Sequence, residues 1–138
     1  MKTILLLFTL LTSVINLPAQ NTIVVTISNF DNNEGKAIIG LYSSKKDFLQ
    51  KDYKSFFKEI IDKSVQVSFN DIPDGTYAVS VFHDEDSDDE FDMLFGFIPM
   101  EDYGNSNNVP PRFGPPKWED AKFEIKEGEV KKINIKLM

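Results

Sequence analysis

The sequence predicts an all-β protein: a single antiparallel β-sandwich of about six or seven short strands, with one inserted amphipathic helix and one long ordered loop. Three observations predict it. Apolar and polar residues alternate with period two in residues 23–28, 64–70, 76–83, 121–126 and 130–137. Turn-forming clusters such as Asn32-Asn33-Glu34-Gly35 and Pro73-Asp74-Gly75 separate the runs. Hydrophobic residues make up 41% of 138 positions, enough for a packed core and against wholesale disorder.

The first residues read as a secretory leader. Met1-Lys2-Thr3 is a short cationic start, residues 4–14 are mostly apolar, and Asn16-Leu17-Pro18-Ala19-Gln20 turns polar and small. The apolar run falls short of the roughly 20 residues that a spanning helix needs. Cleavage is expected after Ala19, with Gln20 next best, leaving residues 20–138 as one domain. No Cys follows, so an acylated lipoprotein start is excluded. The protein is therefore expected to be exported, to the periplasm or beyond.

Each later element has its own signal. Ile23, Val25 and Ile27 define a first inward face. Residues 37–43 follow, with Ile39 and Leu41 on one side. Leu49, Tyr53, Phe56 and Ile60 fall at helical spacing, which predicts an amphipathic helix over residues 45–63. Val65, Val67 and Phe69 face the core from the next strand. After the Pro73-Asp74-Gly75 turn, Tyr77, Val79 and Val81 do the same. Ala121, Phe123 and Ile125, then Ile133, Ile135 and Leu137, flank Glu127-Gly128 and predict a terminal hairpin.

Charge and composition exclude several functions. Against 15 Lys+Arg stand 22 Asp+Glu, a net charge of −7, which opposes nucleic-acid and anionic-membrane partners. With no Cys there are no disulfides, thiolate metal sites or cysteine nucleophiles, and one His allows no two-histidine mechanism. Gly-x-Ser-x-Gly, P-loop and His-Glu-x-x-His motifs are all missing.

The acidic run from Asp84 to Asp92 holds seven carboxylates in nine residues. Asp84, Asp86 and Asp88 stand at positions one, three and five of a calcium-loop order. Glu90 stands at seven, where such a loop uses its backbone carbonyl, and Asp92 at nine, often a ligand through water. Hard oxygen donors two residues apart can wrap one Ca2+, which accepts six to eight of them in loose geometry. Asp89 occupies position six, where Gly usually turns the chain, and Phe95 position twelve, where a bidentate Glu usually sits. Glu101, Asp102 or water would complete the shell. The other reading is a solvated acidic loop, as most charge runs are. His83 precedes the run and points toward the core with Val81, which favours a structural role.

Several words in order then resemble a known family. Phe69-Asn70-Asp71-Ile72-Pro73-Asp74-Gly75-Thr76-Tyr77-Ala78-Val79 leads into His83-Asp84-Glu85. Gly96-Phe97-Ile98-Pro99, Tyr103-Gly104, Ser106-Asn107-Asn108, Phe113-Gly114-Pro115-Pro116 and Trp118-Glu119-Asp120-Ala121 follow. The series resembles the bacterial family called domain of unknown function 2141, over essentially all of residues 20–138. The resemblance implies export and an Ig-like or transthyretin-like sandwich, similar to carboxypeptidase-regulatory-like domains. It implies no activity. The family's loop reads His-Asp-Glu-Asn, then Gly and a further Asp; here Asp86 replaces the Asn and Asp89 the Gly.

The segment of residues 93–120 is long, proline-rich and aromatic. Loops of that length without structure of their own are uncommon and tend to be functional. Tyr103, Asn107, Phe113 and Trp118 are its candidate ligand-contacting residues; alternatively they cover one end of the core. Together these readings predict an exported, non-enzymatic binding module with a calcium-binding acidic loop and an unidentified protein or small-molecule ligand. A docking module using an edge strand or the aromatic loop is the first alternative. A carboxylate- or metal-dependent hydrolase is the second, opposed by the confinement of the acidic cluster to one exposed run.

Overall fold

Alternation of β-branched and polar residues builds the strands, and the computed structural model places most of them in two sheets. It describes residues 17–91, 93–94, 98–110 and 112–138. Most of the expected leader lies outside the described residues. Among the described residues no helix is long and apolar enough to cross a membrane.

In chain order the elements are β1 (Asn21–Ser28), β2 (Lys36–Tyr42), β3 (Lys54–Lys58), β4 (Ser64–Ile72), β5 (Gly75–Asp84), β6 (Met93–Leu94), β7 (Ile98–Pro99), β8 (Tyr103–Asn105), the single turn α1 (Trp118–Ala121), β9 (Lys122–Ile125) and β10 (Val130–Lys136). One sheet has the order β10-β1-β4. The other has the order β3-β2-β5-β8, with β9 also on β5. The far edge of β5 is shared: Gly75 to Ala78 pair with β9, and Ser80 to Phe82 pair with β8. β6 and β7 pair with each other.

The inward faces read from the sequence meet in one buried cluster. Ile23, Val25 and Ile27 from β1, with Val65, Val67 and Phe69 from β4, contribute from one sheet. Ile39 and Leu41 from β2, with Val79 and Val81 from β5, contribute from the other. Fully burying each such side chain stabilises by about 1.5–3 kcal/mol before entropy is counted. Gly104 of β8 fits only without a side chain, since a Cβ there would lie 2.5 Å from Ile135 Cγ2.

Three expectations are corrected. Residues 45–63 are not one helix. Ser44 and Asp47 cap each other's polar groups and start a turn, but Leu49 has φ of +61°, which ends helical geometry. Phe56 and Phe57 then face opposite sides of β3, which pairs with β2 from Ala37↔Lys58 to Leu41↔Lys54. Aromatic residues favour this extended pairing, and Phe56 packs on Phe69 at 5.0 Å between ring centroids.

Nor do β9 and β10 form a hairpin. Glu127 and Gly128 do turn the chain with positive φ, but each strand joins a different sheet. Asn21 Oδ1 accepts the Glu129 N–H at 2.8 Å, and Asp74 Oδ1 accepts the Glu127 N–H at 3.1 Å. Asn21 Nδ2 also donates to Asp74 Oδ1 at 2.8 Å, so the two side chains anchor the turn as a pair. β10 runs parallel to β1, so the architecture is not wholly antiparallel.

The segment of residues 93–120 is not one loop either. It contains β6, β7 and β8 and runs into α1.

Candidate functional site

The acidic run begins where β5 ends, and β5 fixes its first member. Lys36↔Asp84 is the terminal pair of β2 with β5. Asp84 is fully buried. Its Oδ1 accepts the Asp88 N–H at 3.2 Å and its Oδ2 the Asp89 N–H at 3.1 Å. The side chain of one residue thus curls the backbone four and five positions later. Asp86 Oδ1 also accepts from the Asp88 N–H, and Asp88 Oδ1 accepts the Glu90 N–H at 2.8 Å. Charge-assisted bonds of this kind are stronger than neutral ones.

The curl gathers carboxylates. One oxygen each from Asp84, Asp86 and Asp88 lie within 4.8 Å of one another. Glu90 is exposed and outside this group, and Asp92 lies outside the described residues. Asp89 adopts the turn left open by the missing Gly, with φ of +67°. Asp tolerates that left-handed conformation better than most side chains. Glu101 reaches the loop, where its Oε1 accepts the Glu85 N–H at 3.3 Å.

Two residues that sequence reasoning missed frame the loop. Lys36 pairs with Asp89 and lies 3.9 Å from Asp84 Oδ2. Its ammonium is held above the usual lysine range, first by the bond to Asp89 and then by the charges of Asp89, Asp84 and Asp88. Gly35, at φ of +64°, lies under the loop; a Cβ there would sit 1.9 Å from the Asp84 carbonyl oxygen. A glycine directly before a strand was the available signal, but its neighbour was not legible without the pairing register.

His83 is fully buried beneath. Its Nε2 donates to the Glu34 carbonyl at 2.7 Å, and its ring meets Phe30 edge-on at 5.2 Å. Nδ1 stands 3.7 Å from Glu85 Oε1. Burial, and then the Asp31 carboxylate, pushes the Asp102 carboxyl upward nearby. This imidazole fastens the end of β5 to the turn before β2.

Among the described residues, the four expected ligand-loop residues have different surroundings. Trp118 packs on Phe48 at 5.7 Å over Ala78 and Ala121. Asn107 Nδ2 donates to the carbonyls of Asp120 and Lys122, both at 2.9 Å. Phe113 is fully exposed. Tyr103 lines a cavity of about 550 Å3 on the face of β2 and β5 that points away from the core. Phe82, Phe91 and Tyr103 form an aromatic run there, with centroids 5.2 and 5.6 Å apart. Asp89 reaches the same cavity, so the acidic loop and the cavity adjoin. The missed signal was apolar residues at both parities of β2 and β5, as with Ile38 and Phe82, which marks a sheet covered on both faces.

These features define a two-sheet β protein with a carboxylate-lined loop at the end of one strand. The chain belongs to a bacterial family described as "Uncharacterized protein conserved in bacteria (DUF2141)", whose model matches residues 25–134. No curated protein and no solved structure matches it.

Proposed function

We propose that the protein is an exported, non-enzymatic binding module, a transthyretin-like β-sandwich whose acidic loop takes one Ca2+. The observation that carries this reading is the convergence of Asp84, Asp86 and Asp88 within 4.8 Å, with Asp84 buried. Like charges so close are unfavourable unless a cation or protons offset them. Lys36 reaches the Asp84 end but bonds to Asp89, which is not one of the three converging carboxylates. An ion between the three carboxylates would fill the rest of its shell from Glu101, loop carbonyls and water. Calcium suits such an irregular set better than magnesium, which demands near-octahedral geometry. The leader-like start favours export, and weak calcium sites fill outside the cytoplasm, where the ion reaches millimolar levels.

Thermal unfolding of the purified protein in EDTA, then in millimolar Ca2+ or Mg2+, tests the reading. At a hundredfold excess over its dissociation constant, an ion bound only by the folded state adds about 2.7 kcal/mol. The midpoint is expected to rise by several degrees with calcium and by less with magnesium. No rise with either ion up to about 10 mM, far above useful affinities for such sites, overturns it.

A further inference from the structure

A second cluster of donors lies beside the acidic loop, built by three segments. The turn before β2 brings Asp31 and Glu34, the end of β5 brings His83 and Glu85, and the residue before β8 brings Asp102. Register puts them together. Phe82 pairs with Tyr103, and the His83 N–H then donates to the Asp102 carbonyl at 2.9 Å. Residues opposite each other in an antiparallel pair share a face. The Asp102 carboxyl accordingly feels the charges of both His83 and Glu85, and it is hydrogen-bonded to Asp31.

The imidazole separates this cluster from a solvated acidic patch. His83 is fully buried. Its Nε2 meets the Glu34 carbonyl at 2.7 Å. A carbonyl only accepts, so Nε2 carries a proton, and a neutral ring then leaves a bare lone pair on Nδ1. Nδ1 has no hydrogen-bond partner among the described residues. It is aimed at Glu85, whose Oε1 stands 3.7 Å away, too far for a hydrogen bond. A buried acceptor that faces a carboxylate is unfavourable unless a cation lies between them. A ring N–H bonded to a backbone carbonyl is also how metal-ligating histidines are commonly held. A tetrahedral ion with bonds of about 2.0–2.2 Å sets its nitrogen and oxygen donors about 3.4 Å apart, close to the separation found here. The Glu85 side chain is 45% exposed, which leaves an ion a route in.

The donor set chooses the ion. Calcium and magnesium take oxygen ligands, whereas an imidazole beside carboxylates suits zinc and its neighbours in the first transition row. We propose that His83 Nδ1, Glu85 and Asp102 bind one divalent first-row ion of the Zn2+ type, with water completing the shell. The site shares no ligand with Asp84, Asp86 and Asp88, and it stands or falls apart from the calcium reading.

His83 is the one histidine in the chain, so its ring gives a single unambiguous signal. The test is a 1H–15N NMR titration of that imidazole in the untagged protein at pH 7, with Zn2+ and, separately, with Ca2+. Zn2+ is expected to move the Nδ1 resonance saturably at one equivalent, while Nε2 keeps its proton. Ca2+ should give Nδ1 no coordination shift. Glu85→Gln and Asp102→Asn should each weaken Zn2+ binding by about tenfold or more. Asp88→Ala, in the acidic loop, should leave the Zn2+-induced Nδ1 shift in place. Amide spectra show whether each variant is folded, and Glu85→Gln, at an exposed position, carries the test if Asp102→Asn fails to fold. An Nδ1 resonance unmoved by excess Zn2+, as a protonated ring paired with Glu85 would give, overturns the proposal. So does an equal shift with Ca2+, loss of the shift in Asp88→Ala, or unchanged Zn2+ affinity in either folded ligand variant.

Discussion

The two faces of β5 differ in kind although their residues alternate along one strand. Tyr77, Val79 and Val81 point into the shared core and are buried. Ser80 and Phe82 point the other way into a cavity, and Asp84 on that side opens the acidic loop. One parity holds the sheets together. The other offers a cavity and a ring of carboxylates. The difference teaches where change should be tolerated: substitutions on the inner parity should act through stability, and those on the outer parity through binding.

The largest effect should come from breaking the inner face. Leu41→Ala, at a fully buried β2 position, is expected to destabilise by about 2–5 kcal/mol. That lowers the midpoint by on the order of 10 °C, read by thermal unfolding. Phe82→Ala on the outer face should lower it by less than half as much.

Next comes Asp88→Ala, at an exposed loop position. In EDTA its stability should change by about 1 kcal/mol or less, since the exposed bond to the Glu90 N–H is lost while repulsion within the carboxylate cluster is relieved. In calcium it should lose the whole ion-dependent rise, on the order of 2.7 kcal/mol at saturation.

Gly35→Ala joins the two faces' fates. A positive φ and a Cβ meeting the Asp84 carbonyl should destabilise by about 1–3 kcal/mol. It should also weaken the response to calcium, because the clash falls at the root of the loop. Unfolding curves with and without the ion separate the two effects.

The smallest effect belongs to Glu119, away from both faces of β5. Lys122 and then Lys45 hold its carboxylate below the ordinary range. A lowered folded-state value means stability that is present above the unfolded pKa of about 4.3 and lost as pH falls through the folded one. Glu119→Gln should therefore give a slight loss at pH 7 that disappears at pH 3 and in 1 M salt, read as midpoints under the three conditions.

The inner parity was legible in the sequence because burial against one core enforces period two, and Ile23, Val67, Val79 and Ile135 all sit where alternation put them. Pairing was less legible. Glu127-Gly128 has hairpin chemistry, but side chains more than 50 positions away, Asn21 and Asp74, take the turn's amides, and the flanking strands join different sheets. The helical spacing of Leu49, Tyr53, Phe56 and Ile60 was coincidental with a turn followed by a strand, and edge pairing with β2 overrode it. Of the candidate site, the order Asp84, Asp86, Asp88 was readable because the ligands are local in sequence. The partners Lys36 and Gly35, and the cavity around Tyr103, depend on register between distant strands.

The most direct measurement is an amide 1H–15N NMR titration of the protein with Ca2+. The amides of Asp88, Asp89 and Glu90 donate to the carboxylates that would hold the ion. The account predicts saturable shifts concentrated on those three amides, with Lys54 and Glu119 unmoved. Shifts that fail to saturate, or that spread evenly over the acidic surface, would contradict it.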